Sequence, residues 1–263
     1  MRLISICPSN TEICAELGIA GQLAGIDDFS DYPEEITSSL PRLGPDLSID
    51  MDALEQLKPD LVLASLSVPG MEKNVEALKA RKIPHIVLNP NSLEEIAASM
   101  IEIGQAVGKR KLAQEKAAQF LEEIECFREI SKNLQTKPNV FWEWWPNPLF
   151  TPGGYNWLTE ISMLAGGHNI FSDVELASVQ VSSEDVLKRK PDIILLSWVG
   201  VATSRMNPDL IRKRAGWQEL AAVQEGRIYI MEEELYCRPS PRLLEGLRQL
   251  ADILHPGTFP LNN

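Results

Sequence analysis

Leu54-Glu55-Gln56-Leu57-Lys58-Pro59-Asp60-Leu61-Val62-Leu63 returns as Val186-Leu187-Lys188-Arg189-Lys190-Pro191-Asp192-Ile193-Ile194-Leu195, 132 positions further along a chain of 263 residues. In each copy an amphipathic run stops, proline forbids its continuation and an apolar β-type run begins. The same grammar extends outward. Leu3–Ile6 is an expected strand, Ser9-Asn10-Thr11-Glu12 offers caps for a helix over Ile13–Leu17, and Gly18 ends it. Leu23–Ile26, Leu61–Ala64 and Ile86–Leu88 are further strands, the last two preceded by helices Ile49–Leu57 and Glu72–Arg81. In the second half Val140–Trp142 answers Leu3–Ile6, Leu164-Ala165-Gly166-Gly167 answers Leu17-Gly18, and Arg227–Met231 answers Ile86–Leu88. Strands alternating with helices predict parallel βαβ units.

Between the halves the pattern changes. Ser92-Leu93-Glu94-Glu95 is a capping box opening a helix to Val107. After Gly108, Lys109–Leu134 contains no Gly or Pro, and Leu112, Ala117, Phe120, Leu121, Ile124 and Phe127 keep a helical period. A helix of about 25 residues is predicted there. The expected fold class is α/β, with two Rossmann-like lobes carrying parallel sheets and joined by a single long bridging α-helix. The boundaries are 1–108 for the N-terminal lobe, 109–136 for the helix and 137–263 for the C-terminal lobe.

Asp plus Glu number 37 against 25 Lys plus Arg, a formal net charge of −12. Nucleic acid and anionic membrane surfaces reward the opposite balance. The longest apolar stretch, Ile193–Ala202, is about half what a bilayer requires, so no membrane insertion is expected. Cysteines at 7, 14, 126 and 237 form no C-x-x-C pair, which disfavours a disulfide framework or metal cluster. Met1–Pro8 leaves no room for the apolar core of a secretory leader, and Leu3–Ile6 is better used as a strand. The chain as written is expected to be cytoplasmic, or periplasmic or cell-surface if the natural start lies upstream, and to be a monomer.

Catalytic signatures are missing. No G-x-G-x-x-G, phosphate-binding loop or G-x-S-x-G occurs. His85, His168 and His255 have no second ligand at metal spacing, and Glu232-Glu233-Glu234 suits a solvated loop. No catalytic residue, metal or cofactor is therefore assigned. Aromatic residues are informative instead: Phe141-Trp142-Glu143-Trp144-Trp145-Pro146-Asn147-Pro148 packs four rings into eight residues, and Phe150, Tyr155 and Trp157 follow. Strand alternation buries at most every other residue, so some rings must lie beyond the strand. Trp198 closes the strand at Ile193–Leu196, and ligands of open α/β sheets bind beyond such strand ends.

In order and spacing, Ser5-Ile6-Cys7-Pro8-Ser9-Asn10-Thr11-Glu12, Ser30-Asp31-Tyr32-Pro33, Leu57-Lys58-Pro59-Asp60-Leu61-Val62, Asn147-Pro148-Leu149-Phe150-Thr151, Ala165-Gly166-Gly167-His168-Asn169-Ile170-Phe171 and Arg238-Pro239-Ser240-Pro241-Arg242 resemble the cobalamin-binding proteins of ABC importers. These sit within the helical-backbone periplasmic binding proteins for cobalamin, haem and ferric siderophores. The resemblance implies non-catalytic binding of a corrinoid in a cleft between two lobes. The candidate ligand residues are Asn10, Phe29, Tyr32, Leu66, Trp142, Trp144, Phe150, Trp157, Phe171, Trp198 and Tyr236, and Glu72 is the candidate for docking an importer permease. It also marks departures: the family's paired cysteines fall at Ala165 and Ala251, its second docking acid at Cys237, and two of its tryptophans at Ser65 and Leu235. Alternatives are a haem or ferric-siderophore binder, or an enzyme modifying a corrinoid or metal chelate with Cys237 or His168 as ligand.

Overall fold

The computed structural model describes residues 1–260, which form two units. The first comprises Met1–Leu121 with Pro239–Pro241, the second Glu122–Arg238 with the chain from Arg242 onward.

In the first unit β1 (Leu3–Ser5), β2 (Leu23–Ile26), β3 (Leu61–Ser65) and β4 (His85–Leu88) form a parallel sheet in the order β2-β1-β3-β4. Its helices are α1 (Pro8–Glu16), α2 (Glu34–Thr37), α3 (Met51–Gln56), α4 (Glu72–Ala80) and α5 (Leu93–Ala106), followed by α6 (Arg110–Lys132). The second unit holds β5 (Asn139–Glu143), β6 (Trp145–Pro146), β7 (Leu149–Pro152), β8 (His168–Asn169), β9 (Ser178–Gln180), β10 (Ile193–Leu196) and β11 (Ile228–Ile230). Its helices are α7 (Trp157–Leu164), α8 (Ser183–Arg189), α9 (Asp209–Arg212), α10 (Ala221–Gln224), α11 (Glu233–Tyr236) and α12 (Leu243–Leu254). The parallel sheet there runs β11-β10-β5-β8, which is the first unit's order with β5 for β1, β10 for β3, β11 for β4 and β8 for β2. The α/β class and the parallel sheets expected from the repeat are what the chain forms.

The repeated Lys-Pro-Asp has one structural job in both units. Lys58 and Lys190 each take φ of 49°, the left-handed conformation that commonly closes a helix, and the proline that follows cannot continue it. That reversal ends α3 and α8. The aspartate then ties back to the start of the neighbouring strand: Arg2 N–H donates to Asp60 Oδ2 at 2.7 Å, and Asn139 N–H donates to Asp192 Oδ2 at 2.7 Å. Asp60 N–H donates to Arg2 O at 2.9 Å and Asp192 N–H to Asn139 O at 2.8 Å.

The central strands of each sheet, β1 and β3 in one and β5 and β10 in the other, are buried along nearly their whole length. Ile4, Ile6, Val62, Ala64, Leu54 and Leu78 belong to the first unit's core, and Phe141, Ile194, Leu196, Phe171, Ile211 and Trp217 to the second's. Along α6, Ala113, Ala117, Phe120, Ile124 and Phe127 are buried, whereas Leu112 is exposed and Ala113 takes its place on the apolar face. Gly104 of α5 permits the close approach of α6, since a Cβ there would stand 2.2 Å from that of Ala113. The helix expected as a separate connector is shared, its residues to Leu121 in the first unit and those from Glu122 in the second. Pro239–Pro241 returns to the first unit, where Ser240 Oγ donates to the buried Glu12 carboxylate at 2.5 Å.

One helix differs from expectation. α1 begins at Pro8 with Cys7 as an N-cap whose side chain makes no cap, so Ser9, Asn10, Thr11 and Glu12 lie inside the helix and are buried. Proline at the first helical position has no amide to leave unsatisfied, and it outcompetes the polar cap. A small antiparallel sheet, β6-β7-β9, was not foreseen; its strands are two to four residues long.

Phe127 is 1% exposed and stacks on Phe259 with ring centroids 5.2 Å apart. Phe127→Ala is expected to destabilise the chain by about 3–5 kcal/mol in chemical denaturation, the cost of a buried aromatic lost to a cavity.

Candidate ligand-binding site

Because the strands of each sheet are parallel, all their C-terminal ends emerge on one edge, where loop side chains can converge without interrupting the hydrogen-bond ladder. In the first unit that edge carries Cys7, the loop Asp27–Tyr32 after β2, and Ser65-Leu66-Ser67 after β3. In the second it carries Glu143 and the β6–β7 hairpin, Ser197-Trp198 after β10, and Tyr236-Cys237-Arg238 beyond α11.

The first unit's edge is built from small polar groups. Cys7 Sγ lies 3.2 Å from Ser9 Oγ and 3.9 Å from Ser67 Oγ, and Ser65 Oγ–H donates to Ser67 Oγ at 2.9 Å. Asp27 is fully buried, and its Oδ1 accepts the N–H groups of Phe29 at 2.8 Å and Ser30 at 3.0 Å. The Arg42 guanidinium donates to the carbonyls of Asp27 at 3.0 Å and Ser30 at 2.5 Å, fastening the loop from its other side. The loop so held presents Phe29 and Tyr32, 45% and 43% exposed.

The second unit's edge is organised by Glu143. This carboxylate is buried at the end of β5, accepts both terminal nitrogens of Arg214, and accepts the Trp198 indole N–H at 3.1 Å. Arg214 also lies over the Trp217 ring, 4.8 Å from its centroid. Beyond β5 the chain turns back through β6 and β7, pairing Trp145 with Phe150, which in turn pairs with Gln180 of β9. Alternation puts Leu149 and Val181 against the unit's core, and Thr151 is buried, while Trp145 is 40% exposed and Gln180 is exposed. The Trp145 indole N–H donates to Asn147 O at 3.1 Å.

The residues singled out from the sequence therefore divide. Phe29, Tyr32 and, in part, Leu66, Trp144 and Phe150 reach the surface of the C-terminal edges. Several others belong to the core of their unit and offer a ligand no surface. Asn10 is buried in α1 and its amide donates to Ala64 O at 3.1 Å. Trp142 is fully buried, its indole N–H on Ser162 Oγ at 2.8 Å and its ring 5.3 Å from that of Tyr236. Tyr236 donates to Gly246 O at 2.7 Å, and Trp157 donates to Tyr236 O at 2.8 Å. Phe171 packs on Phe141 beneath Arg189, and Trp198 is buried against Glu143. These positions pack as buried residues within their unit. The cause is the two-sided burial of β5 and β10, which fills both faces with rings. Trp145, which is not among the residues singled out from the sequence, is the most exposed tryptophan of this hairpin.

The candidates for chelate chemistry do not meet. His168 pairs with Asn139 at the start of β5, on the sheet's N-terminal edge, whereas Cys237 lies at the C-terminal edge. The Cys237 thiol sits 3.2 Å from Ser197 Oγ, and burial pushes its pKa far up, against the opposing pull of hydrogen bonding from Ser197. Burial likewise raises Cys7 and takes Cys14 up to about 12, so both remain protonated at neutral pH. No cluster of three or more His, Cys, Asp or Glu able to hold a metal ion exists among the described residues. Nor, among these residues, is any helix long and apolar enough to cross a membrane. Ala165 and Ala251 are both fully buried where α7 packs on α12. Glu72 is exposed at the start of α4 and accepts Gly70 N–H at 2.7 Å.

Two outcomes are expected from these environments. Glu143→Ala, which strands Arg214, should cost about 3–5 kcal/mol in urea denaturation, near the lower figure because Arg214 retains access to water; Glu143→Gln should cost less. Under native conditions a disulfide reagent should label Cys126, the exposed thiol, first, the half-buried Cys237 more slowly, and reach Cys7 and Cys14 only after unfolding, as followed by mass spectrometry.

Known proteins share this arrangement. The family model described as periplasmic binding protein matches residues 3–235. An ABC transporter substrate-binding lipoprotein, YvrC, of Bacillus subtilis (strain 168) is 31% identical over 265 residues, covering 98% of this chain and 81% of its own. The vitamin B12-binding protein of Vibrio campbellii (strain ATCC BAA-1116) is 28% identical over 252 residues, covering 95% and 88%. A solved structure from Staphylococcus epidermidis ATCC 12228, described as a possible iron-binding periplasmic solute-binding protein, superposes with a TM-score of 0.82 at 28% identity, covering 97% of this chain and 98% of that one. With a family model spanning both units and relatives matched nearly end to end, the chain belongs to the periplasmic binding protein family, whose members bind solutes and do not transform them.

Proposed function

We propose that the solute is a corrinoid, cobalamin or a close relative, bound without chemical change and delivered to an ABC importer. The observation that carries this reading is the likeness, across both units, to relatives named as vitamin B12-binding proteins. The character of the two edges supports it. A corrinoid is a large, flat, nearly neutral macrocycle, held by ring area and backbone groups and needing few charges. Phe29 and Tyr32 on one unit, and Trp145 with Phe150 on the other, supply rings of that kind.

An anionic ferric catecholate would want free arginines. Here Arg42 is spent on loop carbonyls, Arg214 on Glu143, Arg238 on Glu233 and Arg189 on Asp173. Glu72 is the candidate contact for a permease, being acidic, exposed and fixed at a helix start.

Titration with cyanocobalamin is expected to quench tryptophan fluorescence and shift the corrin absorption band. Haemin or a ferric siderophore producing saturable binding where cyanocobalamin produces none would overturn the corrinoid assignment. Trp145→Ala should weaken binding roughly tenfold, the equivalent of about 1.4 kcal/mol of lost stacking. A buried ring such as Phe171 should, when replaced by Leu, change stability and leave affinity within about twofold.

A further inference from the structure

Behind the loop that presents Phe29 and Tyr32 runs an unbroken row of short oxygen–oxygen contacts. Ser30 Oγ stands 2.5 Å from Asp27 Oδ2, Thr11 Oγ1 2.7 Å from Ser30 Oγ and 2.8 Å from Ser5 Oγ, and Ser5 Oγ 3.0 Å from Cys7 O. All four side chains are buried, at 0–1% exposure. Each contact needs one bridging hydrogen, since two oxygens at these distances repel when only lone pairs face each other. Four contacts are this short, a fifth from Thr11 Oγ1 to Cys7 O being 3.4 Å and too long to require a hydrogen of its own, but Ser30, Thr11 and Ser5 bring only three hydroxyl hydrogens. With Asp27 ionised one contact is left without a hydrogen. A single proton taken from solvent onto Asp27 Oδ2 completes the row, running Asp27 to Ser30 to Thr11 to Ser5 to the Cys7 carbonyl. Oδ1 still accepts the Phe29 and Ser30 amides.

We propose that the loop Asp27–Tyr32 is set by this stored proton, so that Asp27 in its acid form is the positioning residue for Phe29 and Tyr32. As a statement about ligand affinity this rests on the corrinoid reading; as a statement about the loop it does not.

The surroundings agree with a protonated group. Burial pushes the Asp27 carboxyl from 3.8 up to about 6, and the nearby Asp46 charge adds to the rise, while Ser30 and Phe29 oppose it. Of the other charged and titratable groups near this site, the Arg42 guanidinium engages carbonyls and not the carboxylate, and Asp28 accepts Gly44 N–H at 3.2 Å. Cys7 is held protonated chiefly by burial, with Asp27 adding to it, and Glu12 of α1 is taken by Ser240. Asp31 and Tyr32 lie on the loop itself. Because the folded carboxyl titrates higher than the unfolded one, the stability it contributes is complete below about pH 3.8 and is lost as pH rises through about 6.

The test is a carboxyl-carbon NMR titration of Asp27 in the wild type and in Ser5→Ala. Removing Ser5 takes away two contacts and one hydrogen, leaving two contacts for the two remaining hydroxyls. The Asp27 midpoint should therefore fall by about one pH unit although Ser5 does not touch it, the scale of one restored buried hydrogen bond. Asp27→Asn, whose amide donates toward Ser30 permanently, should hold the Phe29 and Tyr32 ring resonances unchanged between pH 5 and pH 8, where those of the wild type shift. Cyanocobalamin affinity should decline between pH 5 and pH 8 in the wild type and stay level in Asp27→Asn. An Asp27 midpoint near 4, or one unmoved by Ser5→Ala, would overturn the stored proton. A midpoint that moves as expected, beside an affinity equally flat with pH in both proteins, would overturn only its coupling to the ligand. Absence of cyanocobalamin binding at any pH would instead strike the corrinoid reading and leave the two loop measurements standing.

Discussion

A parallel strand pair has no tight turn to set its register, and a slip of one residue would exchange the faces of every side chain it carries. Here the register is held by a carboxylate on the first amide of the partner strand, Asp60 on Arg2 and Asp192 on Asn139. Everything at the opposite edge depends on it. With Arg2 and Asp60 joined, Ser5 faces Leu63 and the chain leaves β1 toward Cys7; with Asn139 and Asp192 joined, Glu143 faces Leu196 and meets Trp198. The two ties span 58 and 53 residues, so their loop-closure costs differ by less than about 0.2 kcal/mol. The two units thus meet nearly the same entropic obstacle to forming their central pairs.

That tie explains why the architecture was legible. Lys-Pro-Asp recurs because one local solution is used twice: lysine closing the helix left-handed, proline blocking its continuation, aspartate turned back to a backbone amide. Sequence periodicity also located the long helix to within a few residues, since Ala113, Ala117, Phe120, Ile124 and Phe127 must share a face. The binding residues were less legible for a reason equally physical. Exposure follows alternation only when one face of a strand is solvated. β5 is buried on both faces, so Trp142 and Glu143, successive residues pointing opposite ways, are both inaccessible. Alternation becomes informative again only in β6 and β7, where it selects Trp145. Asn10 was misplaced by the proline before it, which started α1 earlier than the polar cap suggested.

The acidic excess acquires a local meaning. Part of it is consumed inside the units, where Asp60 and Asp192 receive backbone amides, Glu143 receives Arg214 and Trp198, and Asp27 receives Phe29 and Ser30. Carboxylates in these places neutralise arginines and hold strand ends and loops in place. Net charge alone would not have separated that use from a docking surface for a cationic partner.

The hydrogen bond from the Trp145 indole to Asn147 O has a further consequence. An indole on an open hairpin would ordinarily sample several rotamers, and freezing a large side chain on association costs about 0.5–1.5 kcal/mol. Here the turn that exposes the ring also immobilises it before any solute arrives. Trp145 is preorganised: its ordering entropy is surrendered when the chain folds, and under the proposed corrinoid reading little of it is left to be lost at the moment of capture.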